Sequence, residues 1–338
     1  MVETTRLSEN DIRPEHLNAD KESAYARDVA RLLRRKSEFI TVACPACGSR
    51  DAAEAWQKWG LHYLECDRCR TIYISPRPSP SVLEEYYTTS EVYEYWNKYI
   101  FPASEGARRE RIFRPRVQRL LEICDRYNVD PKVMVEVGPG FGTFCEEARA
   151  TGRFDRIIAV EPTPALAATC RERGLEVIEK PIEQVNFKDT AVVDVVAAFE
   201  VIEHLFEPAE FVRACAEAVS PGGILVLTCP NGQGFEVQVL GVAADTVDTE
   251  HLNYFNPASL ALLVSSIGFE VLEVSTPGLL DADIVRNKIL AGKFDCDAQR
   301  FLQIVMLERW EELGAPFQDF LRNNRLSSHM WLVARRPA

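Results

Sequence analysis

The sequence lacks an apolar run long enough to cross a membrane, and it lacks an apolar leader at its amino terminus. A membrane-spanning helix needs about 18 or more consecutive apolar residues, and the first residues, MVETTRLSENDIRPEH, are polar and acidic. These two absences argue against a membrane span and a secretory signal. We therefore expect a cytoplasmic protein with no membrane partner.

Basic residues are scarce relative to acidic ones. The 338 residues include 39 Lys and Arg against 51 Asp and Glu, a formal net charge of −12. A surface this negative repels phosphate backbones unless a basic patch is segregated on it, so a small-molecule substrate is favoured over nucleic acid. Basic residues do cluster at 31–36 and 107–119, and both stretches are typical of solvated helix faces. No motif specifies an oligomeric state.

Four of the ten cysteines form two tight pairs, and the other six are scattered. The pairs are Cys44-x2-Cys47 and Cys66-x2-Cys69, with 18 residues between them. Two such turns direct four thiolates to one tetrahedral centre, so they predict a closed, structural Zn²⁺ site. A redox role is disfavoured because no βαβ pattern surrounds either pair. The scattered cysteines are typical of small buried residues in a reduced protein.

Composition divides the chain into four segments. We predict a helical leader at 1–37, a zinc ribbon at 38–78, an aromatic-rich helical lid or linker at 79–130 and a larger domain at 131–338. The ribbon ends in TIYISPRPSPSV because prolines and serines interrupt regular structure there. The aromatic side chains of 86–101 either pack between modules or form a lid over a ligand cleft.

The stretch VMVEVGPGFGTF predicts a strand, a glycine-rich turn and a helix. Gly138, Gly140 and Gly142 let the backbone approach a ligand, and the helix amino terminus offers free N–H groups. Glu161 ends the next predicted strand, where an acid is placed to hydrogen-bond ribose hydroxyls. A dinucleotide fingerprint G-x-G-x-x-G that starts at Gly138 would have its third glycine at Thr143, so a nucleoside without a pyrophosphate is favoured.

Strands and helices alternate through the rest of the chain. Predicted strands include AVVDVVAAF, GGILVLTC and GFEVLEVS, each separated from the next by helical periodicity. This alternation predicts an α/β fold with a parallel sheet and helices on both faces.

Residues 131–280 resemble a class I S-adenosylmethionine-dependent methyltransferase. The motifs that carry the resemblance are VEVGPGFG, the acid of AVEPTP, FEVIEH and SPGGILVLTCPN. The resemblance implies a Rossmann-like seven-stranded sheet that ends in a reversed strand, HMWLVARR, with a helical insertion at 281–326 before it. A four-cysteine ribbon ahead of such a domain resembles a group of bacterial methyltransferases that act on sugars and other small metabolites.

The resemblance assigns nine residues to S-adenosylmethionine. They are Glu136, Gly138, Gly140 and Gly142 around the methionine part, Glu161 on the ribose, Ile182 and Glu183 near the adenine, and Phe199 and Glu200 beside the sulfonium. Methyl transfer is an in-line displacement, so the acceptor must lie about 3 Å from the methyl group and lose a proton where it carries one.

His204 and His251 are the candidate bases, with Glu200 as a third catalytic candidate. Both histidines follow predicted strands whose carboxyl ends face the ligand crevice. His251 lies on the loop after the fifth strand, just before a helix that is capped near Asn256 or Ser259. Glu200, Glu203, His204 and His251 together resemble the metal-binding set of small-RNA 3′-terminal 2′-O-methyltransferases and some quinone-pathway O-methyltransferases. That resemblance implies Mg²⁺ or another divalent ion. A metal-free histidine base and a structural role remain open alternatives.

The leading hypothesis is methylation of a hydroxyl on a sugar, a nucleotide-linked glycan precursor or a secondary metabolite. Oxygen is favoured over carbon because the tyrosine- and histidine-rich motif of sugar C-methyltransferases is absent after the glycine turn. The alternatives are a metal-dependent RNA 3′-terminal 2′-O-methyltransferase and a non-catalytic zinc-ribbon interaction protein.

Overall fold

The structure is a computed structural model that describes residues 9–12, 14–187 and 192–338. Two helices come first in the described chain, α1 (Glu9–Ile12) and α2 (Asn18–Arg34). The first eight residues of the predicted leader lie outside the described residues. No helix within the described ranges is long and apolar enough to cross a membrane.

The four paired cysteines lie at the turns of a small antiparallel sheet. Its first strands are β1 (Ala52–Lys58), β2 (Leu61–Cys66) and β3 (Ile72–Ile74). Each C-x2-C turn closes on a residue in the left-handed region, Gly48 with φ +70° and Arg70 with φ +61°. The amides of these two residues each donate at 2.9 Å to the carbonyl of the first cysteine of their pair. The turns thereby bring both cysteine pairs to one end of the sheet.

A helical segment connects the ribbon to the main sheet. It comprises α3 (Pro80–Thr89), α4 (Glu91–Tyr95), α5 (Phe101–Arg108) and α6 (Arg114–Arg126), with π-helical stretches at Trp96–Ile100 and Arg109–Phe113. Helix α2 packs against this segment through Asp28. The buried Asp28 carboxylate accepts hydrogen bonds from the Ser90 hydroxyl at 2.7 Å and the Val92 amide at 2.9 Å.

Eight further strands follow. They are β4 (Val133–Val137), β5 (Arg156–Val160), β6 (Glu176–Ile178), β7 (Val193–Phe199), β8 (Val219–Pro230), β9 (Asn253–Tyr254), β10 (Glu270–Ser275) and β11 (His329–Arg335). Seven of them form one sheet in the order β10-β11-β8-β7-β4-β5-β6. Strand β11 is antiparallel to both of its neighbours, and the strands from β8 to β6 are parallel. The predicted seven-stranded α/β sheet with a reversed last strand is confirmed.

Helices cover both faces of this sheet. The remaining ones are α7 (Thr143–Ala150), α8 (Pro164–Glu172), α9 (Pro208–Ala218), α10 (Phe235–Leu240), α11 (Pro257–Ser266), α12 (Asp281–Leu290), α13 (Arg300–Leu302) and α14 (Trp310–Asn323). Leu120 of α6 and Phe144 of α7 belong to one core, and Phe211 of α9 and Leu263 of α11 belong to another. Right-handed crossovers place the carboxyl ends of the parallel strands, and the loops that follow them, at one edge of the sheet.

Strand β9 joins the ribbon sheet rather than the main sheet. The sequence predicts a loop at 253–254, yet these two residues pair with β3. The Asn256 side-chain amide also donates at 2.9 Å to the Cys69 carbonyl. Asn256 is the N-cap of α11 and forms a capping box with Ser259, as the sequence predicts. The ribbon is therefore docked beside the loop that carries His251.

Candidate active site and metal centre

The glycine turn after β4 has three residues in the left-handed region. Gly138, Gly140 and Gly142 have φ values of +69°, +56° and +74°. A Cβ atom on Gly138 would lie 2.7 Å from Val201, and one on Gly142 would lie 2.6 Å from Leu175. Nothing lies within 4 Å of the Cβ position of Gly140. Packing therefore requires two of the glycines, and the third leaves the backbone open to a ligand.

Two buried carboxylates flank the turn. Glu136 accepts a hydrogen bond from the Cys145 thiol at 2.8 Å, and its burial raises the pKa of Glu136 to about 7. Glu161 follows the last residue of β5 and accepts a hydrogen bond from the Thr163 amide at 2.9 Å. Burial also raises the pKa of Glu161. Both acids predicted around the cofactor thus lie at the carboxyl ends of neighbouring strands.

A cavity of about 770 Å³ lies at this edge of the sheet. Its wall includes Gly138 of the turn, Phe199 at the end of β7, Trp331 of β11 and Leu280 before α12. Small-molecule sites in proteins enclose roughly 300–1,000 Å³. The cavity therefore has the size of a ligand site and extends well beyond the glycine turn.

Four of the predicted cofactor residues do not line that cavity within the part of the chain that the structure describes. They are Gly142, Glu161, Ile182 and Glu183. Ile182 is buried and Glu183 is exposed, on the short 3-10 helix Ile182–Gln184 after β6. The ribose and adenine candidates therefore lie beside the cavity, on the far side of the turn from Trp331.

Glu200 is held by residues from two other strands. Its Oε1 accepts hydrogen bonds from His329 Nε2 at 2.9 Å and from the Thr228 hydroxyl at 2.5 Å. Burial by itself would raise the pKa of Glu200, but His329 and Arg116 lower it to about 2. Because two donors from other strands fix the carboxylate through Oε1, the geometry favours an orienting role for Glu200 over proton abstraction.

Glu203, His204 and His251 lie together, with one ligand atom of each within 4.8 Å of the others. His204 Nδ1 lies 3.1 Å from the Glu250 carbonyl oxygen, and His251 Nδ1 lies 2.8 Å from the Thr246 carbonyl oxygen. Since a ring nitrogen that faces a carbonyl carries a proton, Nε2 is the atom that each ring presents to a ligand. Neither carboxylate oxygen of the buried Glu203 has a hydrogen-bond partner in the described structure.

The predicted metal set of four residues requires a correction. The cluster contains Glu203, His204 and His251, and Glu200 is not part of it. The reason is the hydrogen bond between Glu200 and His329, which directs the Glu200 carboxylate to the start of the last strand. The structure thus assigns the two acids of FEVIEH to different surroundings.

The two imidazoles of the cluster have opposite electrostatic surroundings. Burial and the neighbouring His251 lower the pKa of His204 to about 3. Burial also disfavours the charged form of His251, but Asp248, whose Oδ2 lies 3.1 Å from its Nδ1, raises the pKa of His251 to about 10. The His204 ring is therefore neutral at ordinary pH and available as a base or a ligand.

Aromatic residues of the helical segment cover both halves of the site. Phe101 stacks on Phe141 of the glycine turn, with ring centroids 3.7 Å apart. The Tyr87 ring lies edge-on to His204 at 6.4 Å, and its hydroxyl is buried without a hydrogen-bond partner in the described structure. The Tyr86 hydroxyl donates to Glu250 at 2.9 Å. These contacts fit the lid interpretation of the aromatic stripe.

The histidine cluster is adjacent to the cavity but does not form its wall. Among the described residues, the wall includes Phe199, Glu200 and Thr246 and neither imidazole. The Thr246 carbonyl is the hydrogen-bond partner of His251. Both imidazoles are half-buried, and Thr246 links His251 to the cavity wall.

Two residues of the site, Arg116 and His329, are not predicted from the sequence. The Arg116 guanidinium lies 4.5 Å from the Phe199 ring centroid, and no carboxylate lies within ion-pair distance of it in the described structure. The sequence does indicate Arg116 in one way: it is a charged residue four positions before Leu120, on the apolar face of α6. His329 opens the reversed strand, and such a strand begins at the edge where its parallel neighbours end.

The four ribbon cysteines meet at one point. Their sulfur atoms lie within 4.8 Å of one another, with Cys44 and Cys69 at 3.4 Å and Cys47 and Cys66 at 3.5 Å. All four are free thiols. Sulfur atoms at about 2.3 Å from a tetrahedral zinc ion are roughly 3.8 Å apart, so the observed spacing matches such a shell after small adjustments.

The sequence of this chain is similar to those of known methyltransferases. A family described as a methyltransferase domain matches residues 106–274. A Mycobacterium tuberculosis protein named "Probable S-adenosylmethionine-dependent methyltransferase" is 31% identical over 173 residues, which are 50% of this chain and 58% of that protein. The chain therefore spans somewhat more than half the length of this curated relative.

Two further similarities concern an enzyme and a solved structure. A ubiquinone biosynthesis O-methyltransferase of a Caulobacter species is 34% identical over 102 residues, which cover 29% of this chain and 40% of that protein. The structure of a SAM-dependent methyltransferase from Archaeoglobus fulgidus aligns with 70% of this chain and 100% of its own, at 18% identity and a TM-score of 0.44.

Proposed function

We propose that this chain, which belongs to the methyltransferase domain family, transfers the methyl group of S-adenosylmethionine to a hydroxyl of a small molecule. The acceptor is a sugar, a nucleotide-linked glycan precursor or a secondary metabolite. The observation that carries this proposal is one cavity that extends from the glycine turn to Trp331 and α12, because it offers space beyond the cofactor turn. An open cavity also argues against a non-catalytic interaction protein, for which we expect a blocked crevice.

The residues around the turn fit S-adenosylmethionine, which supplies a methyl group activated on a positively charged sulfur. The open backbone of Gly140 and the acid Glu136 suit the methionine part. Arg116 suits the cofactor carboxylate, because a guanidinium fork matches a carboxylate and this one has no carboxylate within ion-pair distance among the described residues. Phe199 and Glu200 remain our candidates beside the sulfonium.

The nucleoside end of the cofactor is assigned to the acids and apolar groups beside the cavity. Glu161 is our candidate for the ribose, since its carboxylate ends β5 and receives one backbone hydrogen bond. Ile182 and Glu183 remain the candidates near the adenine.

Glu161→Ala is expected to weaken S-adenosylmethionine binding by roughly tenfold or more, because a hydrogen bond to a charged group contributes about 1.5–3 kcal/mol. Isothermal titration calorimetry measures the effect. Glu172→Ala is the matched control, because Glu172 is exposed at the end of α8. Equal affinities for the two variants would reject the ribose assignment.

Arg116→Gln is expected to weaken S-adenosylmethionine binding by a similar factor, because it removes the cation that faces the cofactor carboxylate. Methylthioadenosine, which lacks the amino acid part, should bind the variant and the wild type equally. Arg126→Gln is the control, since Arg126 lies on the same helix and pairs with Glu273 at 2.6 Å. A loss that is equal for both ligands would contradict the carboxylate role.

The acceptor hydroxyl must lose its proton, and we assign that task to the histidine cluster. His204 is our candidate of the two, since its ring is neutral and can accept a proton, whereas Asp248 holds His251 in its charged form. His251 is anchored by Asp248 and the Thr246 carbonyl. Movement of the covering tyrosines would connect this cluster with the cavity.

In a second form of this proposal, a divalent cation binds at the histidine cluster. The Glu203 carboxylate is buried without a partner in the described structure, and two imidazoles present Nε2 close to it. A bound cation would lower the pKa of a ligated hydroxyl. Two imidazoles and one carboxylate suit Mn²⁺, Fe²⁺ or Zn²⁺ better than Mg²⁺, which prefers oxygen ligands.

An RNA acceptor is disfavoured because arginines of the basic stretch at 107–119 form ion pairs within the protein. Arg109 forms ion pairs with Glu146 at 2.8 Å and with Glu147 at 2.7 Å. Arg111 pairs with Asp11 at 2.6 Å. Arginines engaged in this way offer little charge to a phosphate backbone, so a small-molecule acceptor is the better proposal.

We also propose that the ribbon cysteines hold one structural zinc ion. The sulfur spacing and the four-thiolate set fit zinc, and such a shell leaves no open position for catalysis. Its role is therefore to fold the ribbon and to hold it against the main domain.

A further inference from the structure

Two arginines lie at the end of the cavity away from the glycine turn. Arg119 of α6 and Arg322 of α14 both line the cavity. The Arg119 guanidinium lies 4.8 Å from the Trp331 ring centroid and donates through Nη2 to the Ser275 hydroxyl at 2.8 Å. The Nε atoms of both arginines are buried and have no hydrogen-bond partner in the described structure. Two buried donors of one cavity wall are therefore left unsatisfied.

Each arginine has one acidic neighbour within ion-pair distance in the described structure. Arg322 Nη1 lies 3.2 Å from Oδ1 of the exposed Asp319 on the same helix. The carboxylate within ion-pair distance of Arg119 in the described structure is that of Glu273, at 4.0 Å. Glu273 is already bound by Arg126 at 2.6 Å and by the Tyr127 hydroxyl at 3.1 Å. Burial lowers the pKa of Arg119, and repulsion from Arg126 and Arg322 adds to that effect. Two like charges thus share one wall.

Three acids line this part of the cavity: Glu122, Glu200 and Asp281. Glu122 is exposed three residues after Arg119 and accepts a hydrogen bond from Gln118 at 3.4 Å, and its charge raises the pKa of Arg119. The other two already have partners. Asp281 accepts hydrogen bonds from the Ser327 hydroxyl at 2.6 Å and the Gln318 amide at 2.7 Å. Glu200 is bound by His329, as described above. These carboxylates are oriented by their donors and do not pair with Arg119 or Arg322 within the described structure.

The two arginines lie apart from the cofactor turn. Arg119 contacts Trp331 of β11 and Ser275 of β10, which are three and four strands from β4 in the sheet. Strands are spaced by about 4.8 Å, which puts this wall roughly 14–19 Å across the sheet from the glycine turn. A ligand group between Arg119 and Arg322 therefore belongs to the acceptor rather than to the cofactor.

We propose that Arg119 and Arg322 form a binding subsite for an oxyanionic group, a phosphate or a carboxylate, on the methyl acceptor. This inference rests on the function proposed above. Guanidinium groups bind both anions through paired N–H donors, and burial strengthens such charge-assisted hydrogen bonds. The acceptor is then an anionic, extended molecule whose charged end lies near Trp331 and whose hydroxyl points to the turn. Among the proposed acceptors, nucleotide-linked and acidic sugars have this chemistry.

The test is calorimetric titration of the full chain saturated with S-adenosylhomocysteine. The two probes are inorganic pyrophosphate and glucuronate, and the proteins are the wild type, Arg119→Gln, Arg322→Gln and a control. The control is Arg213→Gln, because Arg213 is an exposed arginine of α9 that pairs with Glu210 at 2.5 Å. We expect one probe to bind the wild type at one site per chain. Its affinity should fall about tenfold or more in each cavity variant and stay unchanged in the control.

The outcomes separate this proposal from the general function. Preference for pyrophosphate identifies a phosphorylated acceptor, and preference for glucuronate identifies a carboxylated one. Absence of probe binding to wild type that binds S-adenosylhomocysteine overturns the subsite alone, as does an equal loss in Arg213→Gln. Failure of the wild type to bind S-adenosylhomocysteine overturns the proposed function instead. Arg119→Lys, which keeps the charge and loses the fork, replaces Arg119→Gln if that variant does not fold.

Discussion

Cys44→Ser is expected to lose its zinc, to unfold the ribbon and to lose most of its methyl transfer. Zinc binding contributes on the order of 10 kcal/mol to the folding of modules of this size, whereas a whole domain is stable by only about 5–15 kcal/mol. Besides the zinc site, the ribbon is stabilised by three strands of its own and by the apolar cluster that Leu61 and Ile72 share with Leu240. This is the largest stability effect that we predict.

The expected loss of methyl transfer follows from the contacts of β9. Arg77 of the ribbon donates to the Asn253 side chain at 2.7 Å, and the Asn253 amide donates to the carbonyls of Glu203 at 3.2 Å and Leu205 at 2.8 Å. The same ribbon edge pairs with β9, which begins two residues after His251. Unfolding of the ribbon therefore releases both loops of the histidine cluster.

Elemental analysis, thermal denaturation and S-adenosylhomocysteine binding test this prediction together. We expect about one zinc per chain in the wild type and in Cys296→Ser, the control for a buried cysteine far from the ribbon. Cofactor binding should survive in Cys44→Ser better than methyl transfer, because the glycine turn follows β4 of the main sheet and the zinc site belongs to the ribbon sheet. A zinc-free protein with a folded ribbon and full activity would contradict the proposed zinc role.

His204→Ala is expected to lower the rate of methyl transfer by about 10²–10⁴, the usual range for loss of a general base. S-adenosylmethionine affinity should stay unchanged, since His204 does not line the cavity in the described structure. His62→Ala is the matched control, because His62 pairs with Glu54 on the ribbon surface at 2.5 Å. Methyl transfer that persists in His204→Ala would rule out both a base and a ligand role.

Glu203→Gln separates the two forms of the proposal. Glutamine keeps the shape of the buried side chain and removes its charge, so a metal-free base should tolerate the change. A cation site should lose its ion and its activity, because one of three ligands becomes neutral. Added Mn²⁺ or Fe²⁺ should then restore a chelated wild type but not the variant. Full activity of the wild type after verified removal of every ion except the ribbon zinc would reject the cation form.

The sequence was a good guide wherever local pattern decides the structure. Alternating apolar strands and helices predicted the α/β sheet, since buried parallel strands and amphipathic helices carry distinct periods. The two C-x2-C turns predicted a four-sulfur cluster, because their geometry is set within four residues. The Asn256 cap was predicted for the same reason.

Contacts between side chains of distant strands could not be predicted from local sequence pattern. His329 meets Glu200 from 129 residues away, so the sequence around FEVIEH assigned Glu200 to the metal set. Arg116 lay within a basic stretch and was interpreted as solvated, although its helix turns it towards Phe199. Register and packing between elements determine such contacts, and no local spacing encodes them.

The sequence by itself determined the family, the order of the strands along the chain and the positions of the cysteine and glycine turns. Only the tertiary structure decided that Glu203 rather than Glu200 joins the histidines, and that the ribbon sheet takes β9 as its edge strand. It alone brought Arg119 and Arg322 to one cavity wall. The physical reason is that short-range signals specify backbone conformation, whereas a site forms where separate elements end at one edge of the sheet.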